Sequence, residues 1–92
     1  MTGQPHPAPA WHVSLRGARE PQTLSRVLNL FVQRDILLET VSVAPEGDHL
    51  RIEIRDIALD AHAMSVLIEK LRAMIVVSDL RLIESIGNQH AA

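Results

Sequence analysis

The chain contains no cysteine. Disulfide scaffolds, thiolate metal sites and thiol catalysis are therefore all excluded. Aromatic residues are almost as scarce: Trp11 and Phe31 are the whole complement. Base stacking needs several exposed rings, so the chain argues against binding single-stranded nucleic acid. A basic surplus is also lacking, because nine Lys and Arg face eleven Asp and Glu for a net charge of −2. Nothing so balanced recruits a phosphate backbone. No apolar run approaches the roughly 18–20 residues of a membrane span. Residues 1–10 lack the basic and apolar regions of a signal peptide. Localisation in the cytoplasm is the expectation that fits these absences.

What is present is enough for one small folded domain. There are 92 residues, of which 47% are hydrophobic, a share that suits a globule rather than a disordered chain. So short a chain buries a modest core, which makes self-association an expectation in its own right. Residues 1–10, with Pro5, Pro7 and Pro9, read as an extended tail. Residues 85–92 read as a second tail, which leaves 11–84 as the domain.

Within the domain the hydrophobic period changes in an orderly way. Trp11, Val13 and Leu15 alternate with polar neighbours, the pattern of a half-buried strand. Gly17 to Glu20 reads as a loop. Pro21 suits the first turn of a helix, where a missing N–H costs nothing. Leu24, Val27, Leu28, Phe31 and Val32 then form a helical apolar stripe, and Arg34 suits the negative helix end. Ile36 to Val43 is rich in branched residues and predicts a second strand. The differing parity of Leu38 and Val41 there predicts a bulge or burial on both faces. Pro45 to Asp48 reads as a turn. Leu50, Ile52 and Ile54 give the cleanest period of two in the chain. Asp60 is placed as an N-cap for a helix carrying Met64, Leu67, Ile68, Leu71 and Met74. A last strand runs from Val76 to about Glu84.

The order βαββαβ predicts an α+β, ferredoxin-like sandwich: a four-stranded antiparallel sheet with two helices on one face. The first and third strands are then central, with the second and fourth at the edges. Asp79, Arg81 and Glu84 protect the fourth strand from edge-to-edge pairing. The second carries little charge. Its residues Leu38, Thr40, Val41 and Val43 are therefore expected to form a homodimer edge, two second strands meeting to continue the sheet.

No catalytic constellation emerges. The five histidines show no i, i+4 metal spacing, and plain surface positions account for them. Asp56 and Asp60 flank a connection, and Asp60 is better explained as a cap. Gly17 and Gly47 are isolated glycines at expected turns rather than a phosphate loop. The best site candidate is the segment Gly17–Thr23, leading from a central strand into a helix start where main-chain N–H groups and the helix dipole favour a carboxylate. Pro21 and Thr23 could equally do no more than start a helix.

Three segments carry a family resemblance: Glu20-Pro21-Gln22-Thr23-Leu24-Ser25-Arg26-Val27-Leu28, Arg34-Asp35-Ile36, and Glu39-Thr40 followed by Val41-Ser42-Val43. Ile68-Glu69-Lys70-Leu71 fits as well. Over residues 11–84 the chain resembles an ACT domain. More narrowly it is similar to the small regulatory subunit of acetolactate (acetohydroxyacid) synthase, especially the short valine-insensitive type. The resemblance implies no catalytic residue, metal or cofactor of the chain's own. It implies a partner, the thiamine-diphosphate-dependent catalytic subunit, and a branched-chain amino acid as effector. The effector site it implies comprises Arg19, Glu20, Pro21, Gln22, Thr23 and Leu37. Two of these depart from the family pattern: Gln22 replaces a glycine that lets ligand approach the backbone, and Leu37 replaces a hydrogen-bonding asparagine. Asp35 replaces a glycine after the first helix. Weak or absent valine feedback follows from these losses. The alternative is a stand-alone ACT amino-acid sensor acting on another enzyme.

Overall fold

In the computed structural model, which describes residues 10–85, the period-two segments pair into one sheet. The elements are β1 (Ala10–Ala18), α1 (Pro21–Gln33), β2 (Thr40–Glu46), β3 (His49–Ala58), α2 (Ala61–Arg72) and β4 (Val77–Ser85). The sheet order is β2-β3-β1-β4, every neighbouring pair antiparallel. The expected tails lie outside the described residues, except that Ala10 and Ser85 belong to strands and pair with each other.

Alternation decides what the helices cover. Val13, Leu15, Ile52 and Ile54 are fully buried and meet Val27, Phe31, Met64, Leu67 and Leu71 from the helices. Trp11 closes the core at one end, its indole N–H donating to the Leu59 carbonyl at 2.7 Å. Among the described residues, the other sheet face carries no helix. There Arg51 reaches Glu46 at 3.0 Å and the Ser14 hydroxyl at 3.2 Å, and Arg55 reaches Glu53 at 2.7 Å. His12 Nε2 and Arg16 Nε lie 3.3 and 3.4 Å from Glu53 and Glu46 without an aligned hydrogen bond. The hydrogen bond from Arg51 holds the Glu46 carboxyl below its ordinary value, and that from Arg55 does the same for Glu53.

Several boundaries differ from the sequence expectation, among them the start of β4 at Val77 rather than Val76. Gly17 and Ala18 extend β1 rather than opening a loop. Met74 lies beyond α2, which Asp60 caps as expected by accepting from the Ala63 N–H at 2.8 Å. The second strand is Thr40–Glu46, not Ile36–Val43, so Leu37 and Leu38 precede it. Leu38, expected on the dimer edge, is a connector residue, whereas Thr40, Val41 and Val43 do lie on the edge strand. The hairpin turn is only Gly47-Asp48, with Pro45 and Glu46 still paired to β3. Gly47 takes φ 60° and Asp48 does not have a positive φ, the pattern of a type II′ turn, whose twist matches its strands.

β2 shows neither the bulge nor the two-sided burial expected of it; the bulge of this sheet lies on β3. Trp11 pairs with Ile57 and Val13 with Ile54, so Arg55 and Asp56 together oppose His12. Asp56 adopts φ 58°, the left-handed conformation that aspartate tolerates better than most residues. The extra residue returns Ile57 to the core face, where it is fully buried.

Candidate functional site

The sequence-predicted effector residues divide between the two ends of α1. Arg19 to Thr23 form its approach and first turn. Leu37 lies past its last residue. The helical residues Leu24–Gln33 separate the two groups by ~15 Å at 1.5 Å per residue, so one copy of the chain does not bring them together.

The first group is tightly packed. A Cβ on Gly17 would stand 2.8 Å from Thr23 Cγ2 and 3.0 Å from the Val76 carbonyl oxygen. Glycine at 17 therefore lets the first turn of α1 settle onto β1. Thr23 is fully buried and its hydroxyl has no hydrogen-bond partner. Several donors expected to be free for a carboxylate are already used. Glu20 N–H donates to the Ala18 carbonyl and Thr23 N–H to the Glu20 carbonyl, while Pro21 has none to give. Gln22 folds back, its Nε2 donating to the Glu20 carboxylate at 2.9 Å. The Glu20 carboxylate makes no capping hydrogen bond to the helix N–H groups. Arg19 points away, donating to the Gly47 carbonyl at 3.0 Å.

At the other end α1 stops in a Schellman motif: Asp35 N–H donates to the Val32 carbonyl and Ile36 N–H to that of Phe31. Asp35 takes φ 59°, filling the left-handed position where glycine is usual. The connector Ile36–Glu39 then runs toward β2. Two adjoining grooves open beside it, of about 300 and 320 Å³, sharing Arg34, Ile36 and Leu59. Sequence reasoning missed them. Their signal was present in the step from Ile52 and Ile54 to Ile57, where parity changes and a bulge is required.

Among the described residues no helix is long and apolar enough to cross a membrane. No three of His, Asp and Glu gather there as metal ligands would.

The βαββαβ order, the 2-3-1-4 sheet and the bare outer face define a ferredoxin-like α+β domain. The family model of the ACT-like domain matches residues 8–89. The chain belongs to the ACT-like domain family. Its fold is shared by the ACT domain of GTP pyrophosphokinase from Chlorobium tepidum. The crystal structure of that domain has a TM-score of 0.68 at 11% identity, covering 80% of this chain and 96% of that one. Its solution structure gives the same score and identity over 89% and 93%. The C-terminal domain of the MgtC protein from Mycobacterium tuberculosis follows at 0.66 and 14%, over 97% and 100%. No protein of curated function matches the chain. Family membership suggests a regulatory, amino-acid-sensing role.

Proposed function

We propose that the chain is the non-catalytic regulatory subunit of acetolactate synthase, binding and activating the catalytic subunit in branched-chain amino-acid biosynthesis with weak or no valine feedback. The observation that carries this reading is the collinear resemblance. Glu20–Leu28 falls on the start and first turns of α1, Arg34-Asp35-Ile36 on its Schellman end, and Glu39–Val43 on the entry to the edge strand.

The subunit acts as a homodimer joined through β2. The two-residue turn makes Glu46 and His49 the hydrogen-bonded pair. Alternation then points the main-chain groups of Val41, Val43 and Pro45 away from β3. Pro45 has no donor, so Val41 and Val43 supply the free N–H groups of the edge. A two-fold, antiparallel register with Val41 of one copy opposite Val43 of the other uses all of them. Such pairing brings the start of one β2 beside the end of the other. Leu37 of one copy thereby approaches the Arg19–Thr23 segment of its mate, and the effector site is completed between copies. The side chain at Gln22, where glycine would let a ligand approach, and the aliphatic Leu37 account for its weak response.

The deciding experiment measures acetolactate formation by the catalytic subunit of the same organism with and without this chain, across added valine. Several-fold activation that valine does not reverse is the expected result. Absence of both activation and co-purification would overturn the reading and leave a stand-alone sensor. Val41→Lys is expected to give monomers by sedimentation, and a persistent dimer would rule out this edge.

A further inference from the structure

In the sheet order β2-β3-β1-β4, β4 is the second edge. Which of its main-chain groups are free follows from the hairpin at the other side. Glu46 and His49 are a hydrogen-bonded pair, so His49, Arg51, Glu53 and Arg55 turn toward β2, and Leu50, Ile52 and Ile54 toward β1. Those three meet Gly17, Leu15 and Val13. Arg16, Ser14 and His12 are left to bond β4, through Asp79, Arg81 and Ile83. The N–H and C=O groups of Leu80, Leu82 and Glu84 therefore point out of the sheet. Side chains alternate along the same edge. Leu80 and Leu82 pack against the core, while Asp79 and Arg81, opposite Arg16 and Ser14, are exposed on the bare face.

Among the described residues neither Asp79 nor Arg81 takes part in an ion pair. Those of the bare face are made by His12, Arg16, Glu46, Arg51, Glu53 and Arg55. Arg72, in the last turn of α2, is outside them too. With Val77, Ser78, Asp79 and Leu80 it lines a cleft of about 210 Å³ along the same edge. Free main-chain groups, two unpaired charges in a fixed order and a cleft beside them suit an added strand.

A second copy fits this edge poorly. A two-fold antiparallel pairing that sets Asp79 against Arg81 of the mate centres on Leu80, and needs Ser78 opposite Leu82. Ser78 is a bulge residue: Arg16 pairs with Asp79 and Gly17 with Val77, which leaves it outside the ladder. Its hydroxyl donates back to the Arg16 carbonyl at 3.1 Å. Two-fold symmetry meets that break at both ends of the ladder. Moving the axis to residue 81 opposes two arginines. A strand of different sequence meets the bulge once, and can carry the charges that Asp79 and Arg81 select.

We propose that an extended segment of the catalytic subunit adds to β4 as an antiparallel strand, with an acidic residue opposite Arg81 and a basic one opposite Asp79. The identity of the partner rests on the synthase reading; the edge and its order of charges do not. The guest bonds the main chain of Leu80 and Leu82, and its side chains on the helix side lie beside the Arg72 cleft. Pairing of two copies through β2 leaves the two β4 strands as the outer edges of the joined sheet. Each copy then presents one docking edge, and the homodimer holds two partners.

The test has two arms. In the first, the full chain is titrated by amide NMR with two end-blocked peptides, Thr-Val-Glu-Val-Lys-Val and Thr-Val-Lys-Val-Glu-Val. As an antiparallel strand the first sets its Glu opposite Arg81 and its Lys opposite Asp79, and the second reverses them. The first is expected to bind several-fold more tightly, with shifts at residues 78–84. The double variant Asp79→Lys with Arg81→Glu is expected to reverse the preference, and unchanged spectra elsewhere establish that it folds. In the second arm, the double variant is expected to activate the catalytic subunit several-fold less than the parent chain, while sedimenting as the same homodimer. Shifts away from 78–84, indifference to the order of charges, or equal activation by variant and parent would overturn the docking edge. Shifts at 79–83 that follow protein concentration without peptide would also overturn it, giving β4 to a second copy. Failure of the parent chain itself to activate would overturn the partner named here together with the synthase reading, and the peptide preference would still decide the edge.

Discussion

At its first turn α1 lies hard against the sheet, with Thr23 Cγ2 over Gly17 and the N–H groups of Glu20 and Thr23 already bonded. Past its last turn, at Asp35, the chain leaves the sheet and returns to it only at Thr40. Between these points the main chain of Leu37–Glu39 donates no main-chain bond and the flanking charges are unpaired. At the helix start that looks suited to an anion, some of the donors are thus already used by the chain's own carbonyls. The opposite end, which contributed only Leu37 to the expected site, holds the open volume. Helix termini always leave donors and acceptors to be satisfied, and the difference lies in whether the chain itself supplies the partners.

The sharpest way to break this contrast is to force the closed end apart. Gly17→Val puts a branched side chain against Thr23 and the fixed Val76 carbonyl. It is expected to lower stability by about 2–3 kcal/mol, measured by urea unfolding. Thr23→Val works in the opposite sense. It keeps the shape but removes a buried hydroxyl without a partner, and is expected to stabilise by about 1 kcal/mol. A loss instead would show that the hydroxyl is bonded in solution. At the open end Asp35→Gly relieves a left-handed aspartate at φ 59°, with an expected gain of about 0.5–1 kcal/mol by thermal unfolding. No gain there would mean that the carboxylate of Asp35 holds the connector in place.

The smallest effect is that of acid. Glu46 and Glu53 titrate below the ordinary value of 4.5 because Arg51 and Arg55 bond their charged forms. Lowered folded values mean that these groups stabilise the domain above pH 4.5, and that the contribution fades as pH falls through the depressed values. Glu46 is exposed and Glu53 half-buried, so screening keeps the effect slight. The double variant Glu46→Gln with Glu53→Gln should show a flatter stability curve between pH 3 and 5 than the parent.

The order of the elements was legible because each core stripe has its own period: Trp11, Val13 and Leu15 by twos, Val27 and Phe31 by fours. The two central strands and the Asp60 cap could be read the same way. Boundaries were less legible where composition and pairing disagree. Ile36, Leu37 and Leu38 are branched enough for a strand but lie beyond the Asp56 bulge, so no partner strand remains for them. Pro45 suggests a turn but tolerates an edge position whose N–H would face outward. Of the candidate site, Arg19 to Thr23 could be placed at a helix start from Pro21 alone. The hydrogen bond between the Gln22 and Glu20 side chains could not, because it depends on how one side chain folds over another.

Trp11 gives the open end a built-in reporter. It is the single tryptophan of the chain, its indole N–H donates to the carbonyl of Leu59, and Leu59 lines both grooves. Ultraviolet emission from the protein therefore originates from one ring, coupled through one hydrogen bond to the groove wall. Any displacement of Leu59 alters the polarity sensed by that ring, so the packing at this end can be followed optically on the unlabelled protein.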